Sequence, residues 1–350
     1  MLKKFLQTAI TAIILMLTSS TASAWSGQEI WRSSSVGASI TTDIVFNEGV
    51  LYAGDENGTV HALNSENGSV LWSRAIDGTV VGRPVIIDSL VICAGRNGVL
   101  CAFNKKNGNV VWKHQPDKND GSASFADGPA EGGGKVFIGD GSGKLLAFNA
   151  ANGSLSWTWN ASLTLLTAPI YSGGIVYIGE QNALFSAIDA NTGKKLWGGG
   201  AGGAINTPAV NNKGHVYFSS EDGSLTSVNI KEKTAVWKVF TGTPISTAPE
   251  VFDGKIFAGT AMGSITALSE DNGGVLWNTN IGGGIVNAKP IATGGLLFAG
   301  SGDGALYAIE TNGGKIRWSV NLGLEINGAA CFNNGILYAG SSAGEIAAYK

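Results

Sequence analysis

Side chains able to do chemistry are few in this chain and stand far apart. Its three histidines are His61, His114 and His215, each without a cysteine or carboxylate at ligand spacing, whereas a metal site needs several donors converging. They are expected as strand or loop residues. Cys93 and Cys101 flank Arg96-Asn97-Gly98, and a tight turn there sets them opposite each other on adjacent strands. That arrangement admits a cross-strand disulfide in an oxidising compartment, or leaves two small buried thiols. Cys331 reads as a buried hydrophobe. Arg83 and Lys289 each precede a proline, and Asp43 holds the comparable place near the start of the chain. If those positions share one wall they could hold a small anion, the plainer alternative being a solvated surface. There is no Gly-x-Ser-x-Gly, no phosphate-cradling loop ahead of a helix and no EF-hand pattern, so no catalytic constellation is expected.

The elements that must position these residues are set by a repeat. Trp31, Trp72, Trp112, Trp157, Trp197, Trp237, Trp277 and Trp318 follow one another at steps of 41, 40, 45, 40, 40, 40 and 41 residues. Their surroundings repeat too: Ala62/Gly68/Trp72, Ala102/Gly108/Trp112, Ala147/Gly153/Trp157, Ala187/Gly193/Trp197, Ala267/Gly273/Trp277 and Ala308/Gly314/Trp318 keep the same offsets. Upstream of each Ala lies an alternating, Gly-turned hairpin such as 50–62, 136–147, 256–267, 297–308 and 337–348. A further strand precedes each hairpin, often opened by proline (Pro84, Pro129, Pro169, Pro208, Pro249, Pro290), which suits an inner edge whose N–H groups need no ladder partner.

Four strands per period near 40 predict the blade of an all-β propeller. The last unit, through 337–348, stops at Lys350 before any Gly-x-x-x-Trp, and Gly27-Gln-Glu-Ile-Trp31 supplies the missing strand. The expectation is one eight-bladed ring over 25–350, its last blade closed by the N-terminal strand, with the sheet edges that invite aggregation removed by closure.

Ahead of the ring, Lys3 and Lys4, the apolar run 5–17 and Ala22-Ser-Ala24 predict a secretory signal peptide over 1–24, with no cysteine near the cleavage site to carry a lipid anchor. The apolar run is short for a membrane span. Removing Lys3 and Lys4 leaves 21 basic against 26 acidic residues and takes the formal charge from -3 to -5. No basic stripe is present, which argues against nucleic acid or an anionic membrane as partner. A soluble periplasmic or secreted protein is expected.

These repeats resemble the quinoprotein-type (PQQ-like) propellers, whose signature is Ala-x-Asp-x-x-x-Gly-x-x-x-Trp in each blade. Blade five departs, with Lys233 where the glycine belongs, in Ser227-Val-Asn-Ile-Lys-Glu-Lys233-Thr-Ala-Val-Trp237. The family's dehydrogenases imply a quinone and calcium at the tunnel, and the alcohol-oxidising branch also has adjacent bridged cysteines. Here no two cysteines are adjacent and the loops are short, so neither cofactor is expected. The tryptophans then serve to hold blade to blade.

Within the family the chain is most similar to the outer-membrane assembly-factor subunit of the BamB type, a scaffold that binds the barrel-inserting protein. That branch carries Ser-Leu-Ser-Leu-Arg in the loop into blade four, matched here by Ser162-Leu163-Thr-Leu165-Leu166, with Leu166 in the place of arginine. Two acidic residues expected before the next Thr-Pro are missing from Ala204-Ile-Asn206-Thr207-Pro208. The resemblance implies a non-catalytic, monomeric propeller that binds an envelope protein. With Trp159, the stretch 159–166 is apolar enough either to be an exposed contact patch or to fold inward over the seam between blades three and four. A polar insertion over 113–124 breaks the period once more. The alternative function is a small-ligand or quinoprotein-like redox protein using the tunnel.

Overall fold

In the computed structural model, residues 27–33, 36–116, 124–282, 284, 286, 288–321, 326, 328 and 330–350 are described. The signal peptide and most of the polar insertion lie outside the described residues. Eight four-stranded antiparallel sheets follow one another along the chain. Blade one consists of Val45–Asn47, Val50–Gly54, Thr59–Asn64 and Val70–Ala75, and the later blades repeat this order. The inner strand starts directly after Pro129, Pro169, Pro249 and Pro290, and one residue later at Pro208. Blade two differs, because Pro84 falls inside Val80–Ile87, where the pairing register slips between Val81 and Val85.

The ring closes as the repeat predicts. Glu29–Ser33 pairs with Ile346–Tyr349 and sets Trp31 opposite Ala348, the same register that sets Trp72 opposite Ala62 and Trp157 opposite Ala147. Backbone bonds from Gln28 N to Lys350 O (2.9 Å) and from Lys350 N to Gln28 O (2.8 Å) complete the joint.

The core is divided among the seams between blades rather than gathered at one centre, because a single sheet cannot cover both of its faces. At each seam an indole reaches into the following blade. Trp31 Nε1 donates to Ser65 O at 3.1 Å, Trp72 to Lys105 O at 3.1 Å, and Trp112 to Ala150 O at 2.8 Å. The repeat glycine makes the seat for that indole. A Cβ on Gly108 would stand 2.7 Å from the Trp72 ring and one on Gly153 2.5 Å from Trp112, and both glycines have positive φ.

A second seam contact is equally regular. Ile40, Val80, Phe125, Leu165, Ile205, Ile245, Val286 and Ile326, one ahead of each inner strand, are all buried. Several press on the glycine that ends the second strand of the preceding blade, so that a Cβ on Gly54 would meet Val80 at 2.4 Å and one on Gly179 would meet Ile205 at 2.2 Å.

Candidate functional site

The loop entering blade four begins where the outer strand Leu155–Asn160 of blade three ends. It is held on both sides. Ala161 N donates to Gly143 O (2.8 Å) and Leu165 N to Asp140 O (3.3 Å). Between them Ser162 is gripped by the buried carboxylate of Glu180, which accepts from its Oγ at 2.8 Å and its N at 3.2 Å, while Glu180 Oε1 accepts from Ser186 Oγ at 2.8 Å. Asn182 Nδ2 adds a bond to Ser162 Oγ at 2.7 Å. A buried carboxylate so fully hydrogen-bonded fixes the chain around it.

These bonds sort the four apolar residues read from the sequence into different places. Leu163, next to Ser162, is 50% exposed. Leu165 is fully buried in the seam between blades three and four and takes no part in a surface patch. The reason is register: Leu165 is this blade's member of the aliphatic series that includes Ile40 and Val80, and a Cβ on Gly139 would stand 2.9 Å from it. Leu166 is half-buried. It takes the repeat position where Thr41 Oγ1 and Ser246 Oγ each donate to a carbonyl of the next blade at 2.7 Å. Trp159 lies in the outer strand rather than the loop, paired opposite Leu145, half-buried against the same seam, with Lys195 Nζ 5.9 Å above its ring.

The central cavity, about 810 Å³, is lined by the inner strands of blades one to six and by Lys289 of blade seven. Asp43, Arg83 and Lys289 do share this wall, but they are outnumbered by carboxylates that the sequence reading passed over. Asp127, Glu131 and Glu250 also line it. Glu250 pairs with Lys289 at 2.9 Å, so of the two cations one is already neutralised. Asp127 accepts from Gly128 N at 2.7 Å and from Ala168 N at 2.9 Å, yet burial pushes its carboxyl up to about 6, with the nearby charge of Asp43 adding to the effect. Asp127 sits one residue off the position before the proline, which is why comparing those positions alone did not find it.

His61 proves to have a partner. Its Nε2 lies 3.0 Å from Asp55 Oδ2, both residues buried, and its Nδ1 lies 2.8 Å from Ser73 Oγ. The residues are those of a nucleophile, base and acid, but they sit under the hairpin turn of blade one, away from the cavity lining. Blade four fills the same positions with Glu180 and Ser186 and blade six with Thr266, which accepts from Asn278 Nδ2 at 2.7 Å. The group is therefore a polar lock of the repeat. His114 packs on Phe148, ring centroids 4.6 Å apart, and burial lowers its pKa; His215 lies 6.3 Å from Tyr217.

Cys93 stands directly opposite Cys101 on adjacent strands, and both are free buried thiols. Burial pushes Cys93 well up and Cys101 to about 11. Cys331 is half-buried rather than enclosed, since its inner strand faces the cavity side of blade eight. Among the described residues, no three His, Cys, Asp or Glu side chains converge as a metal would require.

The fold defines the class: an eight-bladed propeller of quinoprotein-type repeats. A family profile described as outer membrane protein assembly factor BamB matches residues 20–164, 158–284 and 261–350, and the chain belongs to that family. The assembly factor BamB of Shewanella oneidensis is 26% identical over 150 residues, a match spanning 38% of this chain and 36% of that protein. The crystal structure of BamB from Moraxella catarrhalis superposes with a TM-score of 0.80 at 17% identity, covering 93% of this chain and all of the other. Quinohemoprotein alcohol dehydrogenase from Comamonas testosteroni shares the fold as well, with a TM-score of 0.78 at 14% identity over 92% of this chain and 76% of that one. No helix among the described residues is long and apolar enough to cross a membrane.

Proposed function

We propose that this chain is a non-catalytic protein-binding scaffold of the bacterial cell envelope, periplasmic or secreted, and that it serves outer-membrane protein assembly by engaging the barrel-inserting protein through the loop into blade four. The observation that carries this reading is Leu163. It is exposed on a loop that Glu180 and Asn182 hold in place, at the position where BamB-type propellers resemble this chain most in that loop. A side chain presented without freedom to relax loses little entropy on binding. Leu166 and Asn206 stand where charged residues are expected, so the contact is apolar rather than ionic.

The test is binding of the purified mature chain to the periplasmic part of the barrel-inserting protein from the same organism. Leu163→Asp is expected to weaken it at least about tenfold, a loss typical of a contact at the centre of an interface. Equal binding by the variant, or none by the wild type, overturns the reading. The same reading leaves the tunnel without quinone or calcium, since its donors do not converge and its free cation is Arg83 alone. Incubation with the quinone and calcium followed by desalting should leave no chromophore, and a retained absorbance would count against it.

A further inference from the structure

Most exposed large hydrophobics in this ring share one address: Ile30, Val70, Leu71, Val110, Val111, Leu155, Leu196, Val236, Val275, Leu276 and Ile316 all lie one or two residues ahead of a repeat tryptophan. They belong to the outer strand of the repeat itself. Among the described residues the exceptions are Leu163, Leu184, Phe240 and Met262. The last two are the most exposed of all, at 62% and 70%.

Both break the repeat where it is otherwise small or polar. Phe240 occupies the third position after the tryptophan, held elsewhere by Ala75, Gln115, Asn160, Gly200, Asn280 and Asn321. Met262 occupies the hairpin-turn position held elsewhere by Asn57, Asn97, Ser142, Asn182, Asp222, Asp303 and Ala343. They flank one linker, 241–244, that joins blades five and six. The Phe240 ring lies over Gly223, where an added Cβ would stand 3.2 Å from Cε2 and 2.5 Å from Thr243 O. Thr241 N bonds Gly223 O at 2.9 Å, and on the other side Ala261 N bonds exposed Pro244 at its carbonyl, 3.0 Å away, beside Met262. Phe240, Pro244 and Met262 thus form an apolar saddle on a linker tied to both blades. Its border is acidic. Glu221 and Asp222, in the turn that ends at Gly223, are exposed. Partial burial works against ionising Asp222, but the hydrogen bonds from Ser220 and Ser224 outweigh it and hold the carboxyl below its usual range.

We propose that this saddle docks a segment of a partner polypeptide that presents a bulky apolar side chain next to a lysine or arginine. The apolar group covers Phe240, Pro244 and Met262, and the cation meets Glu221 and Asp222, which an acidic or purely apolar segment cannot do. The inference goes beyond the blade-four loop and stands whether or not Leu163 binds anything.

The experiment uses the mature chain and three short fluorescent peptides, alternating Leu/Lys, Leu/Glu and Ser/Lys, read by anisotropy. Leu/Lys is expected to bind best. Its affinity should fall at least about tenfold in Phe240→Ser plus Met262→Ser, and should be unchanged in Leu71→Ser, an exposed aliphatic of the outer strand. Glu221→Lys, which leaves the apolar residues in place, should shift the preference towards Leu/Glu. Equal binding of Leu/Lys and Ser/Lys overturns the proposal, as does equal loss in Leu71→Ser. Binding of the wild type but not the double variant to phosphatidylcholine vesicles would make the saddle a lipid contact. A self-association abolished by the double variant would make it a contact between copies. Either result also overturns the proposal.

Discussion

The indole of Trp31 sits on Gly68, so close that a Cβ there would stand 2.5 Å from its ring. This contact joins the two chain ends, because Trp31 belongs to the strand that completes blade eight and Gly68 to the last hairpin of blade one. Gly68 also has a φ of 71°. Gly68→Ala is expected to cost about 2–4 kcal/mol, the left-handed penalty plus the clash with the indole. In a Trp31→Ala background the clash is gone, and the same change should cost only about 1–2 kcal/mol. Urea unfolding of the four proteins of this cycle measures the difference. Equal costs in both backgrounds would show that the indole is not seated there.

Lys233 is the one residue of this series that is not glycine, and it still adopts a φ of 59°. The indole due at that seat belongs to Trp197, whose Nε1 finds no acceptor among the described residues, unlike its counterparts in blades eight, one and two. A side chain in the left-handed region costs about 1–2 kcal/mol, part of which glycine returns as unfolded-chain entropy. Lys233→Gly should therefore stabilise the ring by about 1 kcal/mol, a rise in Tm of a few degrees at most for a chain of this size. A lower Tm would mean that Lys233 makes contacts worth more than its strain.

Leu163 and Leu165 differ in what their loss should do. Leu165→Ala removes a fully buried side chain from the seam between blades three and four and is expected to cost about 2–5 kcal/mol. Leu163→Ser, at an exposed position, should stay within about 0.5 kcal/mol of wild type. Thermal unfolding of the two variants decides it. Binding data from a Leu165 variant would report folding as well as contact, which is why Leu163 alone tests the proposed interface.

That distinction also marks how far the sequence could be read. Blade number, closure by Trp31 and the strand order follow from a period, and a period is visible because every copy must solve the same packing problem with the same residue types. Leu165 was visible in principle through its alignment with Ile40, Val80 and Ile205, three or four residues ahead of each proline. The resemblance of 162–166 to a partner-binding motif hid it. The Asp55–His61 pair and the Glu250–Lys289 pair were not visible, because one spans a hairpin and the other two blades, and neither repeats around the ring. The same is true of Phe240 and Met262, whose meaning depends on a linker lying between them.

Asp127 links the cavity to the pH dependence of the fold. Its carboxyl is raised from 3.8 to about 6, so the folded chain holds a proton there that the unfolded chain has released. Stability from this group is greatest below about pH 4, and it declines as pH rises, reaching its low plateau above about 6. Asp127→Asn keeps the shape and an acceptor for one of the two backbone N–H groups while removing the charge. Relative to wild type, the variant should gain stability as pH goes from 4 to 8, as measured by urea midpoints at both values. A constant difference between variant and wild type would show that Asp127 stays ionised in the folded chain throughout, and that the two N–H groups outweigh its burial.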